Sequence, residues 1–334
     1  MYRNFSKEKL EEIKERAENR ENLLENIVEK SDPIKNFPKK DNFLALSRQW
    51  NSWYPSSLEV EGGCYIFNIN QEIIIIDPGF NSLEALKRLG LDIRLIRYIF
   101  VTHFHPDHFA NLIKLITRRT SRKNKLKVYL NTTTYDQFKI YSKGATEFEE
   151  INPEMVLRLK FEKEISFKVK VSILKCYHKE VGGATKSIGL KFTLEHINGN
   201  KILIGFMSDT DGSNEYMNYY KSVYDECNIL IPHLGALHKE PLGDKHLYKN
   251  GLNSLLNRLS LEDRLIILGE FGFELATEAE FKRVLKELIP ESLNYNDLVN
   301  MIHNLSNQDP DTQFFLGQLL FSIYNTIFFH IFLT

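Results

Sequence analysis

Phe100-Val101-Thr102-His103-Phe104-His105-Pro106-Asp107-His108 places three imidazoles and a carboxylate within six residues, directly after the largely apolar run Leu95 to Val101. Such a run reads as a buried strand, and the carboxyl end of a strand is where an α/β sheet presents ligands to a crevice. His103 and His105 are two apart and so project to the same side of an extended backbone. Pro106 breaks the extended run. Asp107 and His108 then open a helix with Phe109, Leu112, Ile113 and Ile116 at helical spacing. One turn can therefore offer a pair of imidazoles to one metal ion and an Asp-His pair to a second. Ordinary polar residues at a strand end would not be expected to cluster at ligand spacing.

Working outward, Ile73-Ile74-Ile75-Ile76-Asp77-Pro78-Gly79 is an unbroken β-branched run that suits a fully buried strand. It follows a strand at Gly62 to Phe67, with Gln71-Glu72 as the hairpin turn, and Phe43 to Leu46 reads as a first strand. Asp77 has two readings, as cap of a helix around Ser82 to Leu89 or as a group that holds the histidine loop. Downstream, Phe167 to Val171 alternates, Ile173 to Cys176 leads to His178, and Ser187 to Phe192 and Ile202 to Ser208 follow as strands before Asp209. Asn228 to Pro232 reads as another buried strand before His233. A helix with Leu252, Leu255, Leu256 and Leu259 comes after His246, and Leu265 to Gly269 runs into Glu270.

With 334 residues, 43% hydrophobic and 26% charged, the composition is that of an ordinary globular protein with room for a full core. A net charge of −1 excludes polyanion affinity on composition alone. The basic run from Arg118 to Lys127 is the local patch that could touch phosphates, and its plainer reading is a solvated turn. Three cysteines are too few and too scattered for a disulfide framework, and no export signal opens the chain, so a cytoplasmic location is expected. Three parts are expected. Residues 1–41 read as a helical N-terminal extension, packed on the body or on a second copy in a homodimer. Residues 42–280 are the catalytic body, and 281–334 a helical C-terminal extension. Residues 314–333 carry no formal charge; a buried or partner-docking helix is the favoured reading, with membrane contact as the alternative.

His103-Phe104-His105-Pro106-Asp107-His108 resembles the HxHxDH motif of the metallo-β-lactamase fold superfamily, and the resemblance extends over roughly residues 42 to 280. It implies an α/β four-layer αβ/βα sandwich. It also implies that His103, His105 and His178 ligate one metal and that Asp107 and His108 ligate another. The aspartate of Ser208-Asp209-Thr210 would bridge the two. The order of the late elements is similar to the ribonuclease Z and related phosphodiesterase branch, which places His246 at the head of a late helix in a catalytic role beside Asp107. Where that branch ends a strand in histidine, this chain has Glu270. Two Zn²⁺ are the implied cofactors, with Mn²⁺ or Fe favoured more than usual by the extra carboxylate. His233 and His238 are candidates to replace Glu270 should it turn away.

The expected activity is hydrolysis of a phosphodiester, in RNA, DNA or a cyclic nucleotide, by attack of a metal-bound hydroxide. Hydrolysis of a lactone, thioester or β-lactam, and a di-iron redox role, are the alternatives that the same ligands leave open. Pocket walls are expected from the loops 50–61 and 143–153, which carry no motif.

Overall fold

The computed structural model describes residues 42–46, 63–119, 125–141, 146–162, 166–239, 246–259, 264–271 and 329–333. The isoleucine run becomes β3 (Glu72–Ile76), paired antiparallel with β2 (Tyr65–Ile69), which pairs in turn with β1 (Asn42–Leu46). On the other side of β3 lie three parallel strands, β4 (Ile96–Val101), β5 (Leu126–Asn131) and β6 (Thr146–Ile151). The second sheet is built from β7 (Val156–Leu159), β8 (Phe167–Lys175), β9 (Ile188–His196), β10 (Lys201–Ser208), β11 (Ile229–Leu234), β12 (Leu265–Ile266) and β13 (Gly269–Phe271). Strands β7 to β10 are antiparallel neighbours, and β11 runs parallel to β10, β12 and β13.

The strand parity explains the layers. Tyr65, Phe67, Ile74, Ile76 and Phe100 of the first sheet meet Val171, Leu190, Phe192, Ile204 and Phe206 of the second in one buried cluster. The alternate residues Ile66, Ile73, Ile75 and Ile99 face outward under the helices α1 (Ser82–Arg88) and, after the short α2 (Pro106–Phe109), α3 (Leu112–Arg118). Beyond α4 (Thr132–Phe138), α5 (Asn214–Tyr224) and α6 (Lys249–Leu256) cover the outer face of the second sheet, against Met207 and Leu230. Sheets buried on both faces carry continuous apolar runs rather than alternation, as β3 does. The result is the expected four-layer αβ/βα sandwich.

Three expectations change. The helix read from Asp107 to Ile116 is two helices, because the Asn111 N–H donates to Pro78 O and its side chain to Gly79 O, which ties the chain back to the exit of β3. The stretch 143–153, read as a pocket loop, contains β6, whose backbone pairs with β5. Residues 329–333, read as part of an apolar helix, form the strand β14 (Phe329–Leu333), antiparallel to β1. A sequence of aromatic and branched residues there suits the strand, and the edge of β1 offers unpaired backbone groups that need partners. These five residues thus belong to the first sheet. Among the described residues no helix is long and apolar enough to cross a membrane. The expectations for 1–41, for the loop 50–61 and for most of 281–334 lie outside the described residues.

Candidate metal centre

Most residues of the expected site come from the carboxyl end of a strand or from the loop just after it, while Asp107 and His108 lie in the short α2 and His246 just before α6. His103 and His105 follow β4, His178 follows β8, Asp209 follows β10, and Glu270 lies in β13 beside the end of β11. Parallel strands expose their carboxyl ends on one side, so both sheets deliver side chains to a single crevice. His103 Nε2 and His178 Nε2 lie 3.1 and 3.2 Å from His105 Nδ1. Oδ2 of Asp209 lies 3.5 Å from His103 Nε2, 3.6 Å from His108 Nε2, 3.7 Å from His178 Nε2 and 3.5 Å from His246 Nε2. His108 Nε2 is also 3.5 Å from Asp107 Oδ2 and 3.5 Å from Glu270 Oε1.

The donor set fits metal ions on its own chemistry. One hydrogen on His105 Nδ1 can satisfy only one of the two imidazole nitrogens that face it, and lone pairs converging on one point are favourable around a cation. Three carboxylates, Asp107, Asp209 and Glu270, are at most 2% exposed, and buried like charges need compensation. Ligand atoms of His103, His105, His178 and Asp209 lie within 4.8 Å of one another, as do those of Asp107, His108 and Glu270. These are the two groups expected from the sequence, and Asp209 Oδ2 lies between them.

Electrostatics points the same way. Burial, reinforced by the neighbouring His108, His178 and His105 and opposed by Asp209, holds the His103 imidazole well below its ordinary value, so it is neutral and its lone pair is available. Burial pushes the Asp209 carboxyl up, but hydrogen bonds from His108, His233 and His246 outweigh it and hold the group well below the usual carboxylate range. Burial lowers His233, and the Glu270 and Asp209 carboxylates reverse that and raise it.

A second layer orients the first. Asp77 does not cap α1, whose N-cap is Asn81. Instead it accepts from the Thr102 N–H and hydroxyl, both at 2.7 Å, and faces His108 Nδ1 at 2.9 Å, which leaves Nε2 turned to the centre. Thr102 Oγ1 also accepts from Ser208 Oγ at 2.7 Å and lies 3.2 Å from His103 Nδ1. Glu180 accepts from the Phe104 N–H, the Lys186 N–H and the Asn131 amide, and so joins the loop of His103 and His105 to the loop of His178. Asp77, Ser208 and Glu270 all have left-handed backbone conformations, with φ of 50°, 55° and 45°. Non-glycine residues hold such angles, at about 1–3 kcal/mol each, where the surroundings over-determine them.

Thr102, Ser208, Glu180 and Tyr65 escaped the sequence reading. Only Tyr65 carried a signal, a hydroxyl on the inward parity of an apolar strand that must find a partner there. His233 does not replace Glu270 but stands beside it, and His238 is exposed and takes no part in these contacts. Of the basic run, residues 120–124 lie outside the described residues. Lys125 and Lys127 pair with Glu147, and Arg119 is buried, which lowers it to about 10.

The chain is similar in sequence and fold to known proteins. The family model of the metallo-beta-lactamase superfamily matches residues 60–127. An uncharacterized protein of Methanocaldococcus jannaschii is 23% identical over 236 residues, 69% of this chain and 83% of that protein. Ribonuclease Z of Pyrococcus abyssi is 38% identical over 63 residues, which are 18% of this chain and 20% of that enzyme. The crystal structure of the metallo-beta-lactamase fold protein YhfI from Bacillus subtilis superposes with a TM-score of 0.56 at 14% identity, covering 75% of this chain and 94% of that one.

Proposed function

We propose that this chain, whose residues 60–127 match the metallo-beta-lactamase superfamily model, is a dinuclear metal-dependent hydrolase of phosphodiesters. The observation that carries the reading is Asp209 Oδ2, a single carboxylate oxygen faced by four imidazole Nε2 atoms at 3.5–3.7 Å. That arrangement suits an oxygen shared by two cations. His103, His105 and His178 would hold the first ion, and Asp107, His108 and Glu270 the second. Two divalent cations bound there would make a water acidic enough to ionise near neutral pH and would screen negative charge on a phosphoryl group.

The chain's own residues supply the rest. Asp107, with Oδ2 facing the centre, is placed to orient the attacking water and accept its proton. His246, 6% exposed and within 3.5 Å of Asp209 Oδ2, is placed to donate a proton to the leaving oxygen or to hold a phosphate oxygen. His103, kept neutral by its surroundings, stays a ligand rather than a proton carrier. The phosphodiester preference is supported by the stretch shared with ribonuclease Z and by this imidazole beside Asp209. The near-neutral surface favours a small nucleotide over a long polymer.

The test is metal analysis of the purified chain followed by parallel assays on bis-p-nitrophenyl phosphate, 2′,3′- and 3′,5′-cyclic nucleotides, short RNA, a lactone and a thioester. Phosphodiester turnover that depends on metal and falls at least ~100-fold in His246→Ala with metal content unchanged is the expected result. Turnover of the lactone or thioester alone would replace the substrate class. Unchanged turnover in His246→Ala would remove that residue from the mechanism.

A further inference from the structure

Behind Asp209 and Glu270, on the side away from the ligand histidines, sits a buried pair, Tyr65 and His233. His233 Nδ1 is 2.9 Å from Asp209 Oδ1 and 2.8 Å from Glu270 Oε2. His233 Nε2 is 2.6 Å from the Tyr65 hydroxyl, and the two rings are stacked with centroids 5.6 Å apart. Each carboxylate is therefore split in its allegiance. One oxygen turns to His233, while the other, Asp209 Oδ2 or Glu270 Oε1, turns to the ligand imidazoles.

Two roles are open to His233, because Asp209, His233 and Glu270 also bring their donor atoms within 4.8 Å of one another. It could ligate a metal through Nδ1, or hold the carboxylates that do. The carboxylates decide between them. Nδ1 stands 2.9 and 2.8 Å from two carboxylate oxygens, a setting that calls for a hydrogen on Nδ1 whether or not Nε2 carries one too. A nitrogen bearing hydrogen has no lone pair for a metal, and the Tyr65 hydroxyl at Nε2 holds the ring in this orientation. The Tyr65 hydroxyl has its space because residue 269 is a glycine, where an added Cβ would come within 2.6 Å of it. A glycine immediately before Glu270 thus makes room for the tyrosine that orients His233.

Resting on the dinuclear reading above, we propose that His233, oriented by Tyr65, is a positioning residue that clamps the outer oxygens of Asp209 and Glu270, and that it is not itself a ligand. The second ion would then have one nitrogen donor, His108, and three carboxylates, Asp107, Asp209 and Glu270. The first would have three nitrogens and the shared aspartate. The glutamate at 270 and the histidine at 233 behind it are, on this account, one device. A glutamate has an oxygen to spare after ligating, and that oxygen needs a donor.

The test uses the full chain stripped of metal and titrated with Zn²⁺ and Co²⁺ under equilibrium dialysis, with ion content and the Co²⁺ visible spectrum as readouts. The variants are Tyr65→Phe, His233→Asn and His233→Ala. Removing a partner behind a ligand weakens metal affinity by about 10–100-fold. Tyr65→Phe, nearly isosteric, should weaken the second ion at the low end of that range and leave the first unchanged. The asparagine amide places a hydrogen donor near the position of Nδ1, so His233→Asn should retain the second ion and its Co²⁺ spectrum, whereas His233→Ala should lose it. If Tyr65→Phe binds both ions as the unmutated chain does, or if His233→Asn loses the second ion as completely as His233→Ala, the clamp is overturned. In the second case the ring is a ligand. If the unmutated chain itself binds fewer than two ions, the dinuclear reading fails and the clamp with it. Because Tyr65→Phe tests the clamp alone, an unfolded His233→Ala would not blunt the result.

Discussion

Thr102→Val exchanges a hydroxyl for a methyl group of similar volume at a position 1% exposed, so its effect should come almost entirely from lost hydrogen bonds. The hydroxyl donates to Asp77 Oδ2 at 2.7 Å, accepts from Ser208 Oγ at 2.7 Å, and lies 3.2 Å from His103 Nδ1. A hydrogen bond to a carboxylate contributes about 1.5–3 kcal/mol and each neutral one about 1 kcal/mol, so the expected loss is about 3–5 kcal/mol. The bond from the Thr102 N–H to Asp77 Oδ1 survives, which keeps the aspartate anchored and the fold intact. Urea unfolding of the metal-free protein should show a lower midpoint at unchanged slope. Ser208→Ala, which removes one of these bonds, should cost about 1 kcal/mol and serves as the scale. In the metal-loaded protein His103 would lose the partner that keeps its hydrogen on Nδ1, and first-site affinity should drop by about 10–100-fold. A loss below about 1 kcal/mol together with unaltered metal affinity would refute the claim that this hydroxyl joins the two layers of the centre.

At Gly235 an added Cβ would meet the His246 ring and Cβ at 2.7–2.8 Å, so Gly235→Ala should displace that imidazole. Turnover should fall by at least ~10-fold with metal content preserved, and normal turnover would show that His246 need not hold its place. Burial raises the Glu72 carboxyl above its ordinary value, against the lowering effect of the Glu162 N–H and Arg97. Between the unfolded and the raised native value the folded chain binds more protons, so this group's contribution to stability declines as pH rises through that window. Glu72→Gln should flatten that decline in a pH series of urea midpoints, and an identical slope in both proteins would contradict the assignment. Burial pushes the Cys227 thiol up to about 11 from 9.0, which cuts its thiolate fraction at pH 8 by about 100-fold. Iodoacetamide should label it in urea and spare it in the native protein; mass spectrometry showing equal labelling would disprove its burial.

Much of this molecule was legible in its residues alone. The isoleucines of β3, the apolar approach to Val101 and the clustering at His103 to His108 point to two buried strands and a turn that gathers imidazoles and a carboxylate, because side-chain period and donor spacing are local properties. His178, Asp209 and Glu270 also fell where their strands end, and the structure brings all three to the same centre. What chain order could not determine was which groups stand behind the ligands. Tyr65 meets His233 across 168 positions, Ser208 meets Thr102 across 106, and Glu180 reaches Phe104 across 76. Such contacts arise only when two sheets pack face to face, and a tyrosine or threonine in an apolar strand looks like any other core residue until its partner is known. The terminal strand Phe329–Leu333 was misread for the same reason. An apolar run is compatible with helix or strand, and only a free sheet edge decided between them.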